Sequence, residues 1–188
     1  MGSIAQDAHA VLLLADYIGL DSGGKLNLMG AGFGVAGWQA GQTAPMYLAV
    51  MIDVPGRHAG EQFTWSVELR DVEADQLVVL PGPTGQGEPV RFAQAVVAER
   101  PTSPGLALPP DLPGRVQMQF AFPNGMPLTP GRRYRWRLAI DNTFRKNWVA
   151  NFYVPEPPAP PVYGGPNGPG AIEGVEQVPE EEDPLEEL

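Results

Sequence analysis

The fold is decided by residues 133–140, which read RYRWRLAI. Tyr134, Trp136, Leu138 and Ile140 alternate there with three arginines and an alanine. A period of two places the apolar side chains on one face of a β-strand and the polar side chains on the other. This stretch therefore predicts a strand that buries its apolar face and turns its arginines toward solvent.

Further strands are predicted along the rest of the chain, wherever residues alternate in the same way or a short apolar run is closed by glycine or proline. These stretches are residues 11–14, 25–29, 46–54, 63–69, 77–80, 90–97, 116–122 and 148–154. The polar Gln94 falls on the apolar face of its strand, which suggests a β-bulge. Strands with one wet face are typical of antiparallel sheets. We therefore expect an all-β fold, a single antiparallel β-sandwich of about eight or nine strands.

The composition supports this fold class and excludes some chemistry. The 188 residues include 23 glycines and 22 prolines, and only 18% are charged, which is typical of a chain rich in turns. There is no cysteine, so disulfides, thiolate metal sites and thiol catalysis are excluded. Residues 101–114 are rich enough in proline that we predict a loop there.

A change in composition near Val154 divides the chain into two predicted parts. Residues 1–154 carry 12 basic and 13 acidic side chains, whereas residues 155–188 carry 9 acidic and no basic ones. The proline-rich residues 155–161 cannot form a helix or a central strand. We therefore predict a β-sandwich domain at 1–154 and a disordered, acidic, Pro/Gly-rich tail at 155–188.

Motifs that would indicate an enzyme are weak in this sequence. Residues 32–37 match GxGxxG, but no helical sequence follows them, so a glycine-rich strand is the better interpretation. His9 and His58 lie far apart, and neither has a second ligand at metal-binding spacing. Four carboxylates at strand ends or wet faces could serve a hydrolase by residue type, namely Asp53, Glu68, Asp71 and Asp141. We predict no catalytic residue, no cofactor and no metal site.

A basic patch is the most specific candidate for an interaction site. It consists of Arg132, Arg133, Arg135, Arg137, Arg145 and Lys146, with a single acid among them. Arginines in a row on one strand face repel one another unless counter-charges lie opposite, and Glu68 or Glu99 on neighbouring strands could supply these. A second interpretation is a site for a polyanion. A third is a site for the acidic tail residues of the same or a neighbouring chain, which are Glu180, Glu181, Glu182 and Asp183.

Two further features leave alternatives open. Residues 160–163 read PPVY and match the PPxY ligand of WW domains, although a stiff proline-rich spacer is the simpler interpretation. Trp38, Tyr47 and Tyr153 are the aromatic residues that the strand phase places off the core. Exposed aromatic rings of this kind would suit a carbohydrate-type ligand, so a ligand-binding β-sandwich is an alternative function.

Several segments together resemble an uncharacterised β-sandwich domain family of actinobacteria and actinobacteriophages. They are LLLAD at residues 12–16, GKLNLMGAG at 24–32, PGP at 81–83 and PGRRYRWRLAID at 130–141. The resemblance covers residues 10–154 and does not include the acidic tail. It implies a β-sandwich, supplies no catalytic residues, and suggests a virion or assembly protein.

Together these observations predict a non-enzymatic structural or interaction protein, an accessory capsid or tail protein of an actinobacteriophage virion. Its protein partners would be other copies of this chain or other virion subunits, bound through sheet edges, the arginine face and the acidic tail. Nucleic acid is disfavoured because 12 basic side chains in the domain are balanced by 13 acidic ones. Without a basic leader or a long apolar run, we expect synthesis in the cytoplasm and no membrane partner. A hydrolase is the least favoured alternative.

Overall fold

The structure, a computed structural model, describes residues 2–82 and 84–157, which consist mainly of antiparallel strands and turns. One short helix, α1 (Ile4–Asp7), precedes the first strand, and a 3₁₀ turn occupies Gly56–His58. The strands, in chain order, are β1 (His9–Ala15), β2 (Tyr17–Leu20), β3 (Leu26–Met29), β4 (Trp38–Gln39), β5 (Gln42–Thr43), β6 (Met46–Val54), β7 (Gln62–Asp71), β8 (Gln76–Leu77), β9 (Val79–Pro81), β10 (Gly87–Pro89), β11 (Arg91–Val97), β12 (Gly114–Phe122), β13 (Arg132–Ile140) and β14 (Thr143–Val154).

Two antiparallel sheets pack face to face. The first has the strand order β1-β6-β12, and the second has the order β11-β7-β13-β14 with β8 added beside β7. Aromatic rings join the two sheets. Phe120 of β12 stacks on Phe92 of β11 with ring centroids 4.6 Å apart, and the centroid of Phe122 lies 5.5 Å from that of Trp136. The all-β antiparallel sandwich predicted from the alternation is therefore confirmed.

The core lies between the inward faces of these sheets. Strand β6 contributes Leu48, Val50 and Ile52, and β13 contributes Trp136 and Leu138, all of which are fully buried. Within each strand these buried residues are two positions apart, as the period of two requires. Burying such a side chain contributes about 1.5–3 kcal/mol relative to leaving it exposed, so each of these residues stabilises the fold substantially.

The structure contains more strands than the eight or nine predicted. The strands that lie outside every predicted range are β2, β4, β5 and β10, which have two to four residues and are too short to show alternation. The predicted strand at 77–80 is divided between β8 and β9. The β-bulge predicted at Gln94 is wrong, because β11 pairs with β7 in an unbroken register. Gln94 is tolerated on the apolar face because β11 is an edge strand and the side chain remains exposed.

The compact unit that holds the sandwich extends to Pro157. The boundary predicted at Val154 coincides with the end of β14. The rest of the predicted tail, with the PPVY motif and the acidic residues 180–183, lies outside the described residues. Within the described part of the chain, no helix has the length and apolar character that crossing a membrane requires.

On one side of the sandwich, a glycine-rich segment joins the edge strands β1 and β14. Gly32 donates its amide to the carbonyl of Leu14 in β1 over 2.8 Å. Gly34 and Ala36 bond to the backbone of Tyr153 in β14, each over 2.9 Å. Gly32 has a φ of +87°, a left-handed conformation that favours glycine. We call residues 32–36 the bridging segment, and this side of the sandwich the covered side.

On the opposite side, β11 and β12 are the edge strands. Within the described residues, β11 pairs only with β7, and β12 pairs only with β6. The inward side chains of β12 are Val116, Met118, Phe120 and Phe122, and all of them remain partly exposed. We call this side of the sandwich the open side, because the core is incompletely covered there.

Candidate functional site

Strand β13 carries three arginines on the outer face of the second sheet. Its even-numbered residues from 134 onward are buried, whereas Arg133 and Arg135 are exposed and Arg137 is partly exposed. The neighbouring strands continue this outer face, because direct cross-strand partners lie on the same side of a sheet. Arg135 is flanked by Arg70 of β7 and by Asn151 of β14.

Carboxylates of β7 and the turn after it neutralise three of the six basic residues in the patch. The pairs, with their N···O distances, are Arg137–Glu68 at 2.5 Å, Arg132–Asp71 at 2.7 Å and Arg133–Glu73 at 2.7 Å. Glu68 is almost fully buried and also contacts Arg70 at 3.3 Å. Glu99, the other counter-charge considered from the sequence, instead lines a depression with Arg115 of β12.

These contacts change the acidity of the carboxyl groups. The pKa of Glu73 lies below its ordinary value of 4.5 because Arg133 donates hydrogen bonds from its side chain and its backbone. Partial burial raises the pKa of Asp71, but hydrogen bonds from the Ala74 amide and Arg132 outweigh it, so the net shift is downward from 3.8. Both carboxylates are therefore ionised at neutral pH and keep their arginines paired.

The other three basic residues form no salt bridge within residues 2–82 and 84–157. Arg135 donates Nε–H to Oδ1 of Asn151 over 2.7 Å, which leaves its terminal N–H groups for another acceptor. Arg145 donates to a backbone carbonyl of α1, and its guanidinium lies 4.8 Å from the centre of the Trp148 ring. Lys146 is exposed. The outer face of β13 and β14 therefore carries an excess of positive charge.

An irregular pairing between β13 and β14 brings these charges together. Arg137 pairs with Val149, but Ala139 pairs with Phe144, so a single residue of β13 lies opposite residues 145–148 of β14. This is a large β-bulge, and bulges commonly redirect side chains at sites of recognition. The bulge places the basic side chains at 145 and 146 beside the arginines of β13.

A depression of about 470 Å³ lies on this outer face. Its lining residues are Arg135, Arg137, Phe144, Arg145, Lys146, Val149 and Asn151. A second depression of about 460 Å³ adjoins it, since Arg135 and Asn151 line both, and it extends past Arg133 to Tyr153. We call the two depressions together the cationic groove.

The cationic groove has the chemistry of an anion-binding site. Guanidinium groups present forked N–H donors that match the paired oxygens of a carboxylate or a phosphate. The Arg137 guanidinium lies 3.8 Å from the centre of the Phe144 ring, a cation–π contact that favours one orientation of its plane. Phe144 and Tyr153 are exposed along the groove, so a ligand with apolar groups beside its anions would find contacts for both.

Five of the six basic residues predicted for the site lie along this groove. Arg132 lies apart from them. It is an even-numbered residue of β13, like those buried further along the strand, and it donates a hydrogen bond to Asp71 at the end of β7. The predicted acidic partners Glu180, Glu181, Glu182 and Asp183 lie outside the described residues. Sequence reasoning missed the groove residues Phe144, Val149 and Asn151, since their place depends on the bulge.

The GxGxxG stretch and the histidines have structural surroundings. Residues 32–37 contain no helix and include the bridging segment. His58 is buried, with Nε2 2.8 Å from Oδ2 of Asp7 and Nδ1 3.2 Å from Oε2 of Glu61. His9 is exposed at the start of β1. No group of three or more His, Cys, Asp or Glu side chains within the described residues is arranged to hold a metal ion.

The candidate hydrolase carboxylates lie in separate environments. Each accepts a hydrogen bond from a structural partner: Asp53 from Arg115, Glu68 from Arg137, Asp71 from Arg132 and Asp141 from Thr64. Asp53 and Asp71 line different depressions, on different sheets.

The candidate ligand-binding aromatics are also separated. Tyr153 lines the cationic groove, and Trp38 packs against the main core. Tyr47 packs edge-on against Tyr17 with ring centroids 5.8 Å apart. In the described part of the chain, no two of the three candidate rings pack together.

Comparison of the chain with protein-family models, with curated proteins and with solved structures yields no match. The resemblance to the actinobacterial and phage family therefore stays a prediction. Function has to be inferred from the groove and from the edges of the sandwich.

Proposed function

We propose that this chain is a non-enzymatic structural protein that binds neighbouring subunits, and that the cationic groove is its docking site for an acidic protein segment. One observation carries the proposal. The three basic side chains of the patch that have no carboxylate partner within the described residues line one depression, whereas Arg132, Arg133 and Arg137 of the same patch are matched by acids. A depression with excess positive charge favours a partner that supplies the negative charge.

The segment that we propose for the groove is the acidic C-terminal stretch of a neighbouring copy. Residues 180–183 supply four consecutive carboxylates, and Leu185 follows closely. The carboxylates suit Arg135 and Lys146, while the exposed rings of Phe144 and Tyr153 offer apolar contact to a leucine. The same chain thus carries both halves of a contact that links one subunit to the next.

The setting that we propose is the virion of an actinobacteriophage, with this chain as an accessory capsid or tail protein. Support comes from the resemblance of residues 10–154 to the actinobacterial and phage family. Support also comes from the exposed edge strands of the sandwich, because free edges can pair between subunits. Cosedimentation of the chain with purified virions is the measurement for this part of the proposal, and its absence from them would contradict it.

The groove is tested with a fluorescent peptide of residues 173–188 and a full-length chain whose own acids are neutralised by Glu180→Gln, Glu181→Gln, Glu182→Gln and Asp183→Asn. We expect the peptide to bind, as measured by fluorescence anisotropy, and to bind less tightly as salt is raised. Adding Arg135→Gln and Lys146→Gln should abolish the binding, because these two exposed cations lie in the groove.

The matched control adds Lys25→Gln and Arg91→Gln instead, which remove two exposed charges outside the groove. We expect this variant to bind the peptide as the parent does. Equal loss of binding in both variants would show a general charge effect, and no binding in any variant would contradict the docking site.

A further inference from the structure

The open side of the sandwich ends in an edge strand without the usual protection. Strand β12 is nine residues long, pairs with β6 in an unbroken register and has no other strand neighbour within the described residues. Natural edge strands commonly carry lysines, prolines, bulges or a covering segment, because their free N–H and C=O groups attract other strands. The sequence of β12, GRVQMQFAF, has no lysine or proline, and its only charge, on Arg115, is paired with Asp53 at 2.6 Å.

The other edges of the sandwich differ from β12. Strand β14 is interrupted by the bulge at residues 145–148, which includes the charged Lys146, and the bridging segment bonds to Tyr153 of the same strand. Strand β1 is shorter, and Leu14 near its end is bonded to the bridging segment. Strand β11 is also shorter, and it begins with the exposed Arg91. Of these edges, β12 presents the longest regular stretch of free backbone.

The inward face of β12 has apolar surface still to bury. Met118 and Phe120 are partly exposed, whereas the inward residues Leu48 and Val50 of the neighbouring β6 are fully buried. A further strand beside β12 would cover this row and satisfy the free backbone groups at the same time. The occupant that fits is therefore an extended segment that pairs with β12 along its length.

We propose that this occupant is a second copy of the chain, with the two β12 strands paired antiparallel about a twofold axis near Gln119. A twofold axis places the side chain nearest to it beside its own copy, and it places the flanking side chains opposite one another, so an edge that pairs with itself avoids like-charge repulsion at the axis only where that residue is uncharged. The outward residues of the central part of β12 are Gln117, Gln119 and Ala121, and none carries a charge. The pairing joins the two three-stranded sheets into one continuous sheet.

The inference rests on the proposed function, because it describes a protein that assembles with its neighbours, but it concerns a surface distinct from the cationic groove. Pairing through backbone bonds and apolar contacts responds little to salt, whereas docking of carboxylates in the groove weakens as salt is raised. The two contacts can therefore fail independently.

Analytical ultracentrifugation of the full-length chain over a range of concentrations, at high salt, tests the pairing. We expect a monomer–dimer equilibrium. Gln119→Lys and Gln119→Glu each place like charges across the axis, so at low salt, in the chain whose residues 180–183 are neutralised, each variant alone should dimerise several-fold more weakly. A mixture of the two variants should recover the dimer, because opposite charges then face each other. The matched control Gln76→Lys changes an exposed residue of β8 and should leave the equilibrium unchanged.

Disulfide mapping provides the second measurement, because the chain has no cysteine of its own. Single variants Gln117→Cys, Gln119→Cys and Ala121→Cys should form an intermolecular disulfide most readily at the position nearest the axis. Gln76→Cys should not. A chain that is monomeric at every concentration, or equal dimerisation of the Gln119→Lys and Gln76→Lys variants, would overturn the inference. Loss of peptide binding in the groove with dimerisation intact would contradict the proposed function alone.

Discussion

On the covered side of the sandwich, backbone hydrogen bonds from residues 32–36 join β1 to β14, and the inward Phe152 of β14 is almost fully buried. On the open side, residues 98–113 link β11 to β12 along the chain, but no described segment bridges the two strands through backbone hydrogen bonds, and they meet through the rings of Phe92 and Phe120. A β-sandwich can thus be closed by backbone bonds or by side-chain packing alone. The side closed by packing alone keeps free backbone groups and apolar surface for a partner.

The largest expected effect is on the covered side. Phe152→Ala should destabilise the fold by about 3–5 kcal/mol, because it removes a buried ring and leaves a cavity beside Tyr134, whose ring centroid lies 5.7 Å away. Urea denaturation, followed by tryptophan fluorescence at low protein concentration, measures the free energy of unfolding. A loss below about 1.5 kcal/mol, less than burial of the side chain is worth, would contradict the close packing described here.

A smaller effect is expected for the corresponding change on the open side. Phe120→Ala should cost about 1–2 kcal/mol under the same conditions, because the ring is already partly exposed and burial contributes in proportion to area. The ratio of the two losses is the useful quantity. If Phe120→Ala costs as much as Phe152→Ala, the two sides are equally well packed and the comparison fails.

The third expected effect is a pH dependence of stability at helix α1, which accepts a hydrogen bond from Arg145 of β14. Both ring nitrogens of His58 face carboxylates, so the charged imidazolium satisfies both contacts. The hydrogen bond with Asp7 is the main cause that raises the pKa of His58 above 6.5. Hydrogen bonds from His58 and then Arg57 are the main causes that lower the pKa of Asp7 below 3.8.

The sign of the pH dependence follows from these shifts. The folded state binds the His58 proton more tightly than the unfolded state, so this stabilisation is complete below pH 6.5 and is lost as the pH rises through the higher folded-state pKa. The Asp7 contribution is present above pH 3.8 and is lost as the pH falls through its lower folded-state pKa. Denaturation of the parent chain and of Asp7→Asn between pH 4 and pH 9 measures how the free energy of unfolding changes with pH when the contact between Asp7 and His58 is present or removed. A difference between the two chains that does not change with pH would contradict this account.

Alternation along the sequence was sufficient to predict the main strands, because burial on one face imposes a period of two. Residues 116–122 were predicted as a strand from their alternation, and β12 spans Gly114–Phe122. The short hairpins were not predictable in this way, since strands of two residues, such as β4 and β5, carry no period. Their formation depends on contacts with the rest of the fold, as when Thr43 donates its amide to the carbonyl of Met126.

The cationic groove could be predicted only in part. Both β13 and β14 bury even-numbered residues, but the turn at Asp141 and Asn142 pairs Ile140 with Thr143, an even residue with an odd one. One of the two strands must therefore contain an odd number of extra residues before the even-numbered residues of both strands can face the core. The need for such an insertion follows from the sequence. The position of the bulge does not, because it depends on where the side chains of residues 145–148 pack.

The counter-charges in the patch were predicted less well than the arginines themselves. Glu68 and Arg137 are separated by 69 residues, and Glu73 and Arg133 by 60. Contacts over such distances depend on the register between β7 and β13, which a single sequence does not specify. The structure was therefore needed to show which arginines are paired with a carboxylate and which line the groove without one.

The position of β6 at the centre of its sheet has a consequence for synthesis of the chain on the ribosome. Its neighbour β1 precedes it, but its other neighbour β12 ends only at Phe122, long after β6 ends at Val54. At roughly 5–20 residues per second, several seconds pass between translation of the two strands. Throughout that interval the nascent chain exposes one edge of a strand composed mostly of apolar residues. Chaperone binding and co-translational misassembly therefore compete with folding at β6 until β12 is complete.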